Sequence, residues 1–390
     1  MWLLCNVTTL QQKHIKILGL ESSADDTCAA VVTSQREILS NIVMRQDAEL
    51  RQFGGIHPYV AIQSHQRNMP FAIRKALSEA NLSINEIDGI AFTRGPGMPG
   101  CLAVAATAAR SLSATLDKPL VGINHMQAHA LTPFLTQPEA ELPRYPFLTL
   151  LLTGGHTLLL LASSPSDYRV LAESLDSNIG FAFDRTSRAL NLPPHPKGAG
   201  AALEAYCEES VSDADQPIVE PSFTTPLRNE LAFSYGGLLS QVLEFLKSQR
   251  PTAINENMKL AVARAFQTTA VKHVEEKLKM ALNDCRKKGL DIRDVVVSGG
   301  VASNMFLRKR LRTCLDEVNP NEQIRLTFPP VSLCTDNAAM IAWASMQRFL
   351  NGDHDDLGVG IRPTWTLENL NRPETEDKPW RSSAKTKVES

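Results

Sequence analysis

Apolar positions along the chain come in two series. Each starts with short apolar runs parted by turn residues and passes into longer runs with helical spacing. In the first, Ile17-Leu18-Gly19-Leu20-Glu21 reads as a buried strand and residues 29–32 as its hairpin partner, with Ser22-Ser23-Ala24-Asp25-Asp26-Thr27 as the turn. A strand over 37–43 comes next, then a helix over 58–80 with proline in its first turn, where a missing N–H breaks no helical bond. Residues 89–93 predict a strand, Arg94-Gly95-Pro96-Gly97-Met98-Pro99-Gly100 a tight loop, and 101–116 an alanine-rich helix. A strand over 119–123 then runs into a helix carrying His125 and His129.

The same order recurs downstream. Residues 147–152 and 158–162 predict strands joined through Thr153-Gly154-Gly155-His156-Thr157. Helices are expected over 181–190, 200–207 and 257–287; the last presents Met258, Val262, Phe266, Val274, Leu278 and Leu282 as a core-facing stripe. A strand at 294–297, a basic helix over 304–318, a strand at 324–328 and a helix over 335–350 complete the series. Two such halves predict a duplicated α/β architecture with a cleft between two lobes. Past Pro363 the sequence turns polar and charged, and beyond Arg372 it has the composition of a disordered tail.

Length and charge narrow the function classes. A chain of 390 residues exceeds the usual single-core limit, which favours two domains. With 40 basic and 42 acidic residues the net charge is -2, so no chain-wide field attracts a polyanion, and any nucleic-acid contact needs a local patch. The densest basic run is Leu307-Arg308-Lys309-Arg310-Leu311-Arg312, either a solvated helix face or a phosphate-binding stripe of Arg308, Lys309 and Arg312. Seven cysteines without a Cys-x2-Cys pair indicate neither a disulfide framework nor a thiolate zinc site. No apolar stretch is long enough to span a bilayer, and a soluble intracellular chain is expected. The first sixteen residues lack acidic side chains and arginine but contain Lys13 and Lys16, a faint resemblance to a transit peptide.

Candidate chemistry centres on Asn124-His125-Met126-Gln127-Ala128-His129. On a helix, residues four apart share a face, so the two imidazoles can hold one divalent ion or simply pack there. Met126 stands where a zinc protease places its glutamate base, which disfavours peptide hydrolysis. Glycine-bearing turns at Thr153-Gly154-Gly155, Pro196-Lys197-Gly198-Ala199-Gly200 and Ser298-Gly299-Gly300-Val301-Ala302-Ser303-Asn304 offer backbone N–H groups to an anion, and the helix after Gly300 adds a favourable dipole. Neither a Walker loop nor a Rossmann fingerprint is present. Asp184 is either a ribose acceptor or an ordinary acid at a helix start, and Asp336 either an N-cap or a third metal ligand.

Taken in order, Leu20-Glu21-Ser22-Ser23-Ala24-Asp25-Asp26-Thr27, Arg94-Gly95-Pro96-Gly97, Asn124 to His129, Thr153-Gly154-Gly155-His156-Thr157, Phe183-Asp184, Ser298 to Asn304 and Cys334-Thr335-Asp336-Asn337 resemble the tRNA threonylcarbamoyladenosine transferase family. Its members were once described as O-sialoglycoprotein endopeptidases. The resemblance spans residues 17–363 and is strongest to mitochondrial eukaryotic members. It implies an actin-like fold of the sugar-kinase and Hsp70 type. The implied reaction is transfer of threonylcarbamoyl from threonylcarbamoyl-AMP to N6 of adenosine 37, beside the anticodon, in tRNAs reading ANN codons. It also implies His125, His129 and Asp336 as ligands of one zinc or iron ion. The implied adenylate positions are Leu151, Leu152, Thr153, Gly154, Gly155, Asp184, Gly200, Glu204 and Asn304, with Ser303 and Thr335 as neighbours. A homodimer, an upstream threonylcarbamoyl-AMP synthase and a mitochondrial location are expected.

The sequence departs from the family pattern in three places. The usual Ser-Cys-Asp-Asp turn is Ser23-Ala24-Asp25-Asp26, which excludes a thiol there. Phe233-Ser234-Tyr235-Gly236-Gly237-Leu238 loses one serine, and the glycine-rich loop is altered to His195-Pro196-Lys197-Gly198-Ala199-Gly200. The expected division is a leader at 1–16, a first lobe with the metal-binding helix at 17–145 and a second with the nucleotide turns at 146–350. A segment packing back at 351–372 and a tail at 373–390 complete it. The alternatives are a nucleotide-binding scaffold of a tRNA-modification complex and a small-molecule kinase of the same fold.

Overall fold

Both apolar series form five-stranded mixed sheets of one topology. The computed structural model describes residues 14–46, 55–209, 221–249, 254–318 and 323–374. The proposed leader and tail therefore lie largely outside the described residues. In the first sheet β1 (Lys16–Glu21), β2 (Thr27–Thr33) and β3 (Ile38–Met44) form an antiparallel meander, and β4 (Gly89–Gly95) and β5 (Leu120–Asn124) add in parallel, giving the order β3-β2-β1-β4-β5. In the second, β6 (Phe147–Leu152), β7 (Thr157–Ser164) and β8 (Asp167–Glu173) form the meander, with β9 (Asp294–Ser298) and β10 (Arg325–Thr327) parallel, in the order β10-β9-β6-β7-β8. Buried strands such as β2 and β6 read as continuous apolar runs because no residue of either faces solvent.

The helices are α1 (Pro58–Glu79), α2 (Pro99–Leu116), α3 (His125–Thr136), α4 (Ile179–Ala189), α5 (Ala199–Cys207), α6 (Gly236–Ser248), α7 (Glu256–Lys287), α8 (Met305–Val318) and α9 (Ala338–Leu350). Among the described residues the chain divides into a unit running to Ala128 plus Asn337–Trp365, and a unit of His129–Asp336 plus the residues from Thr366 onward. The expected boundaries after 145 and 350 are thus displaced, and the reason is physical. Helix α9 packs on β1, where a Cβ at Gly19 would meet Ala338 O at 2.4 Å. Only glycine lets that helix approach the strand so closely. Residues 355–365 also belong to the first unit: Asp355 accepts from Gly122 N at 2.7 Å, and Arg362 N donates to Arg94 O at 2.7 Å.

Among the described residues one strand and one α-helix escaped the sequence pattern, β8 and α6. Helix α6 starts at Gly236-Gly237, residues that ordinarily break a helix. It is held from outside, because Asp176 accepts from Tyr235 N at 3.0 Å and Gly236 N at 3.1 Å.

Beneath α6 lies His273, fully buried, its Nε2 accepting from Ser234 N at 3.2 Å and its ring edge-on to Phe233 and Tyr235. Burial and the nearby Lys277 charge push its pKa down from 6.5 to about 4. Unfolded, the ring takes a proton near 6.5, whereas folded it stays neutral until about 4. Its contribution to stability is therefore whole above 6.5 and is lost as pH falls toward 4, at up to about 1.4 kcal/mol per pH unit. His273→Gln should flatten this part of the acid limb in urea unfolding; parallel curves for wild type and variant would contradict the assignment.

Candidate metal centre and nucleotide-binding turns

Strand β5 ends in Asn124, which is fully buried and sets the start of the next helix. Its Oδ1 accepts from Met126 N at 2.9 Å and Gln127 N at 3.2 Å, so Asn124 caps α3, while its Nδ2 donates to Trp365 O at 3.0 Å. The helix begins at His125, which places His129 one turn later on the same face. Both histidines are buried. His129 Nε2 lies 3.2 Å from Asp336 Oδ1, and the ligand atoms of His125, His129 and Asp336 all lie within 4.8 Å of one another. Two imidazoles and one carboxylate at that separation fit a divalent ion. Met126 is buried apolar packing.

Asp336 is not the cap of α9. That role belongs to Asn337, whose side chain accepts from Met340 N, so the Asp336 carboxylate is left to face His129. Sequence reasoning passed over Glu21. This fully buried carboxylate lies 2.9 Å from His125 Nδ1, and the signal for it was an acid directly after the apolar run Ile17-Leu18-Gly19-Leu20.

The candidate adenylate residues form one linked set. Leu151 and Leu152 end β6, and Thr153 closes the turn, its N–H donating to His156 O and its hydroxyl accepting from His156 N, both at 2.8 Å. Gly154 and Gly155 are exposed, a Cβ at either would meet nothing within 4 Å, and neither has positive φ. The fold does not require glycine there, but a ligand approaching the backbone would. Gly299 differs. With φ 99° and Leu152 O 2.4 Å from a Cβ position, it is needed to seat this turn against β6.

From Gly180, packed on Thr153, α4 carries Asp184 toward Gly200, whose N–H donates to the Asp184 carboxyl. Asp184 thus sits within α4 rather than at its start, contrary to expectation. Burial raises its pKa, and the Arg188 charge and the Gly200 N–H oppose the rise.

Glu204, Asn304 and Ser303 already have work in the fold. Glu204 accepts from Met305 N at 2.5 Å, and Asn304 Oδ1 accepts from Leu307 N at 2.8 Å, so together they cap α8. Burial raises the Glu204 pKa against the pull of the Met305 and Phe306 N–H groups. Ser303 Oγ donates to Gly300 O at 2.6 Å, and Thr335 lies beside Gly300. The chain's own carboxylate therefore occupies the anion-favouring end of α8, which leaves the Gly154–Gly155 turn as the more open cradle. The basic run is also engaged. Arg308 donates to Ala302 O and stacks on Phe328, Arg310 forks onto Glu275 at 2.7 Å, and Arg312 donates to Ile324 O; among these cations Lys309 is exposed. Of the expected phosphate stripe, Arg308 and Arg312 are thus partly engaged within the fold, and Lys309 is exposed.

Comparison with known proteins identifies the family. The family model for TsaD, tRNA N6-adenosine threonylcarbamoyltransferase, matches residues 37–343. A probable mitochondrial tRNA N6-adenosine threonylcarbamoyltransferase of Arabidopsis thaliana is 36% identical over 372 residues, covering 91% of this chain and 75% of the relative. The enzyme of that name from Rickettsia bellii is 36% identical over 358 residues, covering 91% and 99%. Full-length HypF in its phosphate- and nucleotide-bound form is 14% identical with a TM-score of 0.50, over 87% of this chain and 56% of that one, a likeness of fold alone. Among the described residues no helix is long and apolar enough to cross a membrane. The two sheets are thus the halves of an actin-like fold, and the chain belongs to the tRNA N6-adenosine threonylcarbamoyltransferase family, a family of tRNA-modifying acyltransferases.

Proposed function

We propose that this chain takes threonylcarbamoyl-AMP as donor and modifies N6 of adenosine 37 in tRNAs reading ANN codons, with one zinc or iron ion held by His125, His129 and Asp336. The approach of those three side chains is the observation that carries the reading. The donor is a mixed anhydride. N6 attacks the carbamoyl carbon, the bond from that carbon to the phosphate oxygen breaks, AMP leaves with the electron pair, and N6 gives up a proton. When bound, a divalent ion supplies fixed positive charge near an oxygen-rich donor, with no need for a hydrolytic base.

The adenylate is assigned to Leu151, Leu152, Thr153, Gly154, Gly155, Asp184, Gly200, Glu204, Ser303, Asn304 and Thr335. The exposed turn at Gly154 and Gly155, where no side chain stands in the way, receives phosphate, and Asp184 accepts from a ribose hydroxyl. Unpaired anticodon-loop bases can splay out to present N6. An upstream synthase supplies the donor. A homodimer is proposed, and sedimentation showing a monomer at working concentration would exclude it. The mitochondrial location is suggested by the Arabidopsis relative's name, and fractionation placing the full chain in the cytosol would exclude it.

His125→Ala and Asp336→Ala should each lose bound metal while retaining the far-ultraviolet circular dichroism of wild type, because a three-donor site keeps little affinity with two. Elemental analysis at full occupancy in both variants would refute the ligand set. For the nucleotide, Gly155→Val should block approach to the backbone, and Asp184→Ala should remove a charged hydrogen bond worth about 1–3 kcal/mol. Calorimetry with AMP reads both; unchanged affinity in the pair would dismiss the cradle.

A further inference from the structure

The turn between β1 and β2 carries more than its own geometry. Glu21 has no solvent exposure and follows the buried apolar run Ile17-Leu18-Gly19-Leu20 of its strand. An isolated carboxylate in such a place is costly unless several donors surround it. Three do. Ser23 N donates to Oε1 at 2.5 Å, the Thr93 hydroxyl donates to Oε2, and His125 Nδ1 stands 2.9 Å from Oε2.

The turn itself is pinned on two sides. Ser22 Oγ donates to Cys101 O at 2.7 Å. The buried His65 of α1 meets Thr27 Oγ1 at 2.8 Å and Ala24 O at 3.0 Å through its two ring nitrogens. Met98 N also donates to Ser23 O at 2.9 Å, so the Arg94–Pro99 loop closes over the turn. Glu21 therefore has little freedom to move away from His125.

We propose that Glu21 is a positioning residue for His125. Its carboxylate accepts the Nδ1 proton, fixes the ring's rotation and leaves Nε2 as the nitrogen with a lone pair for the metal. A neutral imidazole has one donor and one acceptor nitrogen, so the partner of one decides the role of the other. A carboxylate with two acceptor oxygens suits this place. A glutamine of the same shape must present an NH2 group either to Ser23 N, setting donor against donor, or to the His125 and Thr93 side. On that side the ring would have to accept at Nδ1 and protonate Nε2, and the lone pair meant for the metal would be lost.

The proposal rests on reading His125 as a metal ligand, and its test separates the two. In the metal-free full chain labelled with 15N histidine, the His125 resonance, assigned by its loss in His125→Ala, should show the Nδ1–H tautomer. Glu21→Gln should move it toward Nε2–H. Zn2+ affinity, measured by competition with a chromophoric chelator, should fall about 10–100-fold in Glu21→Gln, the usual cost of removing an acid behind a histidine ligand. A purely structural Glu21 would change the unfolding midpoint and leave both the tautomer and the Zn2+ affinity of the folded protein in place. An Nε2–H tautomer in wild type overturns the positioning role even if Glu21→Gln fails to fold, and so does unchanged Zn2+ affinity in the folded variant. Wild type without any His125-dependent Zn2+ binding removes the metal reading itself.

Discussion

The proposed chemistry depends on how β5 ends. A buried amide, Asn124, terminates the strand, starts α3 and ties the junction to Trp365, so one side chain satisfies three backbone groups. Losing an N-cap of this kind costs about 0.5–2 kcal/mol. More consequential is the loss of phase. If α3 started one residue later or frayed by a turn, His125 and His129 would no longer share a face toward Asp336. The hydrogen bond to Trp365 O explains why a stretch beyond the last helix belongs to the first unit. Arg94 and Arg362 both lie over the Trp365 ring, at 5.5 Å and 4.6 Å, and hold its backbone where Asn124 needs it.

The second unit applies the same economy to backbone groups. Helix α8 is capped twice by its own chain, α4 starts under the Thr157 hydroxyl through Ile179 N at 2.9 Å, and α6 is closed by Asp176. With these ends occupied, the exposed Gly154–Gly155 turn is the place proposed for phosphate. A glycine that neither packing nor φ demands is better evidence of a ligand than one the fold requires, and Gly299 and Gly155 show the contrast within one region.

Much of this was legible in the residues. Among the described residues the apolar runs marked nine of the ten strands, most plainly those, such as β2 and β6, that are buried throughout. His-x3-His needs only helical periodicity to become a pair. The features that stayed hidden were set by partners distant in sequence. Asp176 caps a helix 60 positions away, which no local pattern around Gly236 discloses. Helix α9 joins the first unit because Gly19 admits it, although it closes the second apolar series in the chain. Arg308, Arg310 and Arg312 read as surface charge until their carbonyl and carboxylate acceptors are seen. Glu21 looked like the edge of a turn, and only the approach of α3 reveals its hydrogen bond to His125.

The central claim is that one chain joins a histidine–aspartate metal centre to a glycine-turn adenylate cradle to carry out a single acyl transfer. The most direct measurement tracks the acyl group itself. The purified chain is given threonylcarbamoyl-AMP labelled at the carbamoyl carbon together with unmodified tRNA, and the tRNA is then digested to nucleosides. Label on N6 of adenosine, with one AMP released for each base modified, is the predicted result. Donor cleaved to AMP with the label left off the tRNA would contradict the account.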